Sequence, residues 1–330
     1  MMALLVLVFT LTAVAQQNTC QRNKCQEANA TLTTDTLKVD SSEFQAQSSE
    51  FKVQVTYTQA DSLKVTQLLA EAANQEDIPE PMVYFARRLL GIPYVAHTLE
   101  VNAEEQLVVN LRQLDCTTYV ETVSALTLCH SNNQRSFEDY CQWLTKLRYR
   151  QGQLTDYTSR LHYFTDWIED NTAMRLVSET QSTQPPFNAV QTVNVGFMTA
   201  NPQYYAMLKN NRAFQQIIAR QEKALCGRQY RYIPKGDIAN TPAMRQAVAD
   251  GDIIAIVTNK KGLDTSHIGI AVWHNDGLHM LNASQIRKKT VEEPMTLRLY
   301  MSKHPSQTGI RVVKLLRNCV PEPQSAVSEP

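Results

Sequence analysis

Leu114-Asp115-Cys116-Thr117-Thr118-Tyr119-Val120 reads as a loop turning into a helix. Beyond it the apolar residues Tyr119, Val120, Val123 and Leu126 recur at helical spacing. Asp115 suits the N-cap, because its carboxylate can accept from the open N–H groups of a first turn. Cys116 then falls in that first turn, where the positive end of the helix dipole favours a thiolate and lowers the thiol pKa. A cysteine so placed is either a nucleophile or a small buried hydrophobe, and this helix alone leaves both readings open.

A nucleophilic cysteine needs a base, and the base needs a group that orients its ring. The C-terminal third of the chain offers both. Gly251-Asp252 marks a turn, and residues 253–257 form an apolar run of strand length. The next strand, 267–273, alternates: Ile268, Ile270 and Val272 share a core face, and His267, Gly269, Ala271 and Trp273 share the other. Small residues at 269 and 271 permit close approach of a neighbouring element. A third strand, 278–284, puts Met280, Asn282 and Ser284 on one face. A hairpin would set Asn282 beside His267. Cysteine, histidine and asparagine in this order, on a helix and then two strands, match the layout of a papain-like nucleophilic site. Alone, His267 reads as a strand-end surface histidine and Asn282 as a turn or ladder residue; together they read as a triad.

The rest of the chain sets the context. Of 330 residues 43% are hydrophobic, enough for a substantial core, and 32 basic residues balance 32 acidic ones. No whole-protein basic field exists to hold a phosphate backbone, which argues against nucleic acid as a partner. Residues 1–15 carry an apolar run ending in Ala13-Val14-Ala15, the pattern of a secretory signal peptide. The run is too short to span a membrane, so an exported, periplasmic protein without a transmembrane segment is expected. Gln17-Asn18-Thr19 lacks the small and apolar residues that lipidation requires, which argues against an anchor at Cys20. Residues 16–55 are polar and read as a flexible leader, and residues 321–330 as a tail. The seven cysteines leave at least one thiol unpaired within the chain. Cys116 is the candidate for it, whereas Cys129 and Cys141 fall on apolar helix faces. No Cys-x-x-Cys or His-Glu-x-x-His spacing occurs, so neither a metal nor another cofactor is expected.

Helices are expected over 60–74, from Glu80 to a stop at Gly91 and Pro93, and over 116–130, 136–148, 159–170 and 212–224. Residues 99–111 alternate and read as strands.

Five segments, spread over roughly residues 80–320, carry a resemblance: Leu90-Gly91-Ile92-Pro93-Tyr94-Val95, Asp115-Cys116, Gly251-Asp252-Ile253-Ile254, Ser266-His267-Ile268-Gly269-Ile270 and Met280-Leu281-Asn282-Ala283-Ser284. In this order they resemble the NlpC-type papain-like cell-wall hydrolases. The resemblance implies an α+β fold, with a catalytic helix packed on an antiparallel sheet. The chain departs from the common pattern in two ways. Thr117-Thr118 replaces the usual Ser-Gly, and roughly 150 residues separate Cys116 from His267. The second departure implies a large helical insertion, about 130–250, within a single domain over 56–320. The insertion contains Tyr157-Thr158-Ser159-Arg160-Leu161-His162-Tyr163-Phe164 and Asp166-Trp167-Ile168. These features look like the N-acetylmuramoyl-L-alanine amidase-like branch, which cuts between the muramic lactyl group and L-alanine and favours anhydro-muropeptides.

That resemblance implies peptidoglycan fragments as partners of a monomeric amidase acting through Cys116, His267 and Asn282. Tyr94 becomes a cleft residue or a tyrosine packed at a helix end. Asp115 becomes a contact to a substrate amine or hydroxyl, or simply the helix cap. Arg160, flanked by Ser159 and His162, becomes a partner for a stem-peptide carboxylate, since its planar fork suits that group, or part of a surface helix start. Competing readings are a stem-peptide endopeptidase of the same fold cutting between D-Glu and the diamino acid, an acyltransferase, a muropeptide-binding module and a zinc amidase.

Overall fold

The computed structural model describes residues 53–75 and 77–317. The signal-peptide reading, most of the leader, Cys20 and the tail lie outside the described residues. The described chain begins earlier than the leader boundary at 55 implied. Val53 and Val55 pack on the core, and β1 (Val55–Thr56) pairs in parallel with β2 (Leu107–Val108).

The elements follow in the order β1, α1 (Gln59–Ala73), α2 (Pro81–Arg88), β2, α3 (Cys116–Ser131), α4 (Phe137–Arg148), α5 (Phe164–Ala173), β3 (Val177–Glu179), β4 (Ala189–Thr192), α6 (Phe197–Ala200), α7 (Arg212–Leu225), β5 (Gln229–Pro234), α8 (Pro242–Ala247), β6 (Ile253–Thr258), β7 (Thr265–Trp273), β8 (Leu278–Ser284), β9 (Lys289–Glu292), α9 (Leu297–Ser302) and β10 (Gln307–Leu315). An antiparallel sheet in the order β4-β5-β10-β6-β7-β8-β9, with β3 also on β10, forms the centre. This is a mixed α+β architecture.

The β7 alternation sorts as its sequence predicts. Ile268, Ile270 and Val272 face α1 to α5 with Leu281, Ala283 and Val313. Ala271 and Trp273 lie on the opposite face, with Met280, Ile310 and residues of α8 and α9. The helix α3 is more central than a one-sided stripe implies, because every residue from Thr118 to Cys129 is buried. Such a helix is a core element, and its buried position fixes where Cys116 at its first turn can point. Cys129 and Cys141 are buried, as their helix faces predict.

Gly269 is required by the close approach of β8. A Cβ there would lie 2.5 Å from Met280 Cγ and 2.8 Å from the Leu281 carbonyl oxygen. Gly269→Ala is therefore expected to destabilise the fold by about 1–3 kcal/mol and to spread β8 from β7. Urea unfolding checks the first effect, and an unchanged midpoint would show that the strands already have slack.

Two expectations change. Residues 99–111 yield only the short β2, because Glu100 and Glu105 turn inward from an irregular loop to reach Arg160. The helix expected at 159–170 starts five residues later. Asp156 caps a single turn at Tyr157–Ser159, accepting from the Thr158 N–H at 2.7 Å, and Arg160 then runs extended beside Tyr149. The segment between 130 and 250 is also not purely helical. Its strands β3, β4 and β5 extend the central sheet, and its own small core joins Tyr157, Tyr163, Val193, Met198, Leu208 and Ile218.

Candidate active site

Cys116 is the first residue of α3, and Asp115 is its cap. The Asp115 carboxylate accepts from the Thr118 N–H at 2.8 Å, and the Thr118 hydroxyl oxygen accepts from the Asp115 N–H at 2.9 Å. This reciprocal pair is a capping box built from aspartate and threonine. It accounts for the Asp115-x-x-Thr118 spacing and assigns the Asp115 side chain to holding the helix start.

His267 stands at the start of β7, where Ser266 is bulged out of the β6 register between His267 and Thr265. Its Nε2 lies 3.0 Å from Asn282 Oδ1 on β8. Asn282 is fully buried, and its amide nitrogen donates to the Met280 carbonyl. That second bond fixes the amide orientation, so Oδ1 is the group turned to the ring. A carbonyl oxygen only accepts, hence Nε2 carries the proton and Nδ1 keeps its lone pair.

Cys116 and His267 border one cavity of about 240 Å³, together with Thr117, Ile268, His162, Asp264 and an apolar wall that includes Leu161, Phe164, Phe197 and Met198. The electrostatics differ from the thiolate expected at a helix start. Burial, with the Asp115 carboxylate second, pushes the Cys116 thiol up to about 12. The Ile268 N–H, the Thr117 hydroxyl and the cysteine's own N–H favour the thiolate but do not outweigh burial. Burial also holds the His267 imidazole below its ordinary value, with the Asn282 bond pulling the other way. Both directions favour a neutral thiol and a neutral imidazole.

Tyr94 is half-buried and bridges to Leu114, one residue before the cap. Burial and the proximity of Cys116 and Asp115 raise its phenol well above the usual range, so it stays protonated. The three residues proposed around position 160 separate. Ser159 donates to the Asp156 carbonyl at 2.6 Å and completes the turn. Arg160 is 7% exposed and holds Glu105 through two bonds, at 2.8 and 2.5 Å, with Glu100 at 3.3 Å. Its fork is thus engaged by internal carboxylates, which is a correction to its reading as an open partner for a substrate carboxylate. Only His162 of the three borders the cavity. Its Nε2 donates to the Tyr157 carbonyl at 2.9 Å, and burial plus the Arg160 charge lower its pKa to about 3.

His162 therefore stays neutral in the native protein while it protonates in the unfolded chain between its ordinary 6.5 and about 3. The unfolded state binds more protons in that window, so this stability term is full above 6.5 and is lost as pH falls. His162→Gln, which keeps a donor for Tyr157, is expected to remove an acid-side slope of about 1.4 kcal/mol per pH unit. Denaturant titrations at several pH values read the difference, and parallel curves would contradict it.

Sequence reasoning missed Tyr163, Phe164, Phe197, Met198 and Asp264. These come from three separate segments with no shared local pattern. Asp264, just before β7, caps α5 across the chain, accepting from the Thr165 N–H at 2.6 Å, a contact that no local pattern announces. Among the described residues, no group of three or more histidine, cysteine, aspartate or glutamate side chains is arranged to hold a metal ion, and no helix is long and apolar enough to cross a membrane.

Comparison with known proteins identifies the family of this chain. The AmiA-like family profile, N-acetylmuramoyl-L-alanine amidase-like, matches residues 84–310. The chain belongs to this family. The AmiA-like match spans both the Asp115-Cys116 helix start and the His267–Asn282 pair. A crystal structure of an N-acetylmuramoyl-L-alanine amidase from Bacteroides uniformis ATCC 8492 is similar at 35% identity and a TM-score of 0.67, covering 72% of this chain and 97% of that one. A Bacteroides fragilis structure described as a putative xylanase is similar at 36% identity and 0.65, covering 70% and 98%. A Legionella pneumophila protein described by the DUF1460 family model shares the fold at 20% identity and 0.59, covering 78% and 95%. No curated protein sequence matches. The chain is thus a member of an amidase-like family of cell-wall hydrolases.

Proposed function

We propose that this AmiA-like protein is a cysteine amidase of papain-like, NlpC-type fold, with residues 53–317 as its catalytic domain and 130–250 as the insertion that shapes the cleft. The proposed reaction cleaves the amide between N-acetylmuramic acid, in its anhydro form, and L-alanine in peptidoglycan fragments. We take the protein to be exported by residues 1–15 and to act in the periplasm. One observation carries the reading: the His267–Asn282 bond at 3.0 Å beside the cavity that Cys116 borders.

In this mechanism His267 Nδ1 takes the thiol proton as Sγ attacks the lactyl carbonyl. The C–S bond forms, and the Cys116 N–H at the helix start and the Tyr94 hydroxyl stabilise the oxyanion. The C–N bond then breaks, and His267 gives its proton to the departing L-alanine nitrogen. Water attacks the thioester, again through His267, and leaves a lactyl carboxylate and the free thiol. Asn282 holds the ring in its Nε2–H tautomer and stabilises the imidazolium. No step needs a metal or other cofactor.

A glycosidase reading, which the Bacteroides fragilis description invites, needs a pair of carboxylates across the scissile bond. Among the described residues bordering the cavity, Asp264 is the one carboxylate. Both its oxygens accept backbone N–H groups, from Thr165 and Thr265.

Mass spectrometry of the products from a purified anhydro-muropeptide tests the proposal. An intact stem peptide with a free L-alanine amine is expected. A shortened stem would shift the bond to the D-Glu–diamino acid linkage of the alternative endopeptidase. No product would favour a binding protein, and transfer to an added amine an acyltransferase.

A further inference from the structure

The helix α6 puts Phe197 and Met198 on the cavity wall, yet at four residues it is too short to hold itself. Its N-cap, Gly196, has no side chain to close the turn. The open N–H groups are instead taken up from elsewhere in the chain. The Tyr163 hydroxyl oxygen accepts from the N–H groups of Phe197 at 3.0 Å and Met198 at 3.2 Å. Glu222 Oε1, on α7, accepts from Met198 at 3.1 Å and Thr199 at 3.2 Å. The Tyr163 hydroxyl donates to the same Glu222 oxygen at 2.6 Å. Both side chains are buried. The Gly262 carbonyl, from the loop before β7, adds a bond to Phe197.

A buried carboxyl group is costly unless its oxygens are satisfied. Here one oxygen gathers three donors at the point where the cavity wall begins. Tyr163 is also the residue before α5, the helix that supplies Phe164 to the same cavity lining. One hydroxyl therefore ties two segments of the lining to α7.

We propose that Tyr163 and Glu222 are positioning residues: they lock α6 so that Phe197 and Met198 form a fixed apolar wall against the substrate. This rests on reading the cavity as the muropeptide site. Neither residue belongs to the Cys116–His267–Asn282 set, so their loss acts on substrate binding and leaves the chemical step intact.

The test uses Tyr163→Phe, Glu222→Gln, Phe197→Ala and the double variant Glu222→Gln/Phe197→Ala. With an anhydro-muropeptide, each single change is expected to raise KM about tenfold with kcat within about twofold. The double variant is expected to rise by less than the product of the two single effects, because both changes remove the Phe197 contact. Multiplying effects, or a fall in kcat at unchanged KM, would overturn the proposal. Amide hydrogen exchange supplies a readout that needs no substrate. Phe197, Met198 and Thr199 are expected to exchange at least about tenfold faster in Tyr163→Phe and Glu222→Gln, while the amides inside α7 keep their protection. Unchanged exchange at those three amides overturns the clamp even in an active enzyme. A wild-type protein that releases no stem peptide contradicts the proposed function instead, and the exchange rates then decide the clamp alone.

Discussion

Cys116→Ala is expected to abolish stem-peptide release, lowering kcat by about 10⁴-fold or more, in a protein that still folds. The size of the effect follows from the mechanism: without Sγ no thioester forms, and His267 has no proton to collect. The fold is expected to survive because Cys116 is half-buried at the first turn of α3, and the Asp115–Thr118 capping box does not use its side chain. Thermal unfolding and product release, measured on the same preparation, separate the two. Activity retained in this variant would overturn the nucleophile assignment. The resting protonation also sets a pH profile. His267 is held below its ordinary value, so kcat/KM is expected to stay flat through neutral pH and fall only on the acid side, as the imidazole gains its proton.

Arg148→Met is expected to destabilise the protein by about 3–5 kcal/mol at neutral pH. Arg148 and Glu121 are 2% and 1% exposed. Arg148 donates to Glu121 Oε2 at 2.7 Å, and to the Val108 carbonyl at 2.7 Å. These bonds join α4 to α3 and to β2. Burial raises the Glu121 carboxyl and the Arg148 charge opposes that rise, so removing the guanidinium strands a buried acid. The deficit should shrink as pH falls, because protonation of Glu121 removes the unpaired charge. Urea midpoints at two pH values check this. Adding Glu121→Leu to Arg148→Met should recover most of the loss, since an apolar pair replaces the ion pair; a double variant as unstable as the single would contradict the account.

The features that were legible in the sequence are those written locally. Asp115 and the period that follows Cys116 mark the start of α3, and the alternation of β7 sorts its two faces. The turn between β7 and β8 is short, so His267 and Asn282 become neighbours by hairpin geometry. The features that were not legible depend on distant partners. Arg160 looks like an anion site until Glu100 and Glu105 close on it from a loop some 55 to 60 residues away. The loop looks like strand because Leu99, Val101 and Ala103 alternate with Glu100 and Asn102. A helix-start position alone implies a depressed thiol, and only the packing around Cys116 shows burial winning. The cavity wall was the least visible part, since Phe164, Phe197 and Asp264 meet through side-chain caps and a Gly262 backbone bond that span the chain.

Rapid-quench mass spectrometry of the intact protein during turnover of an anhydro-muropeptide addresses the central claim, because the trapped acyl group identifies both the nucleophile and the bond. An adduct on Cys116 is expected, with the mass of the sugar–lactyl acyl fragment and no stem residue, since L-alanine has already left as the amine. An adduct that carries L-alanine and D-glutamate, or one attached to any residue other than Cys116, would contradict it.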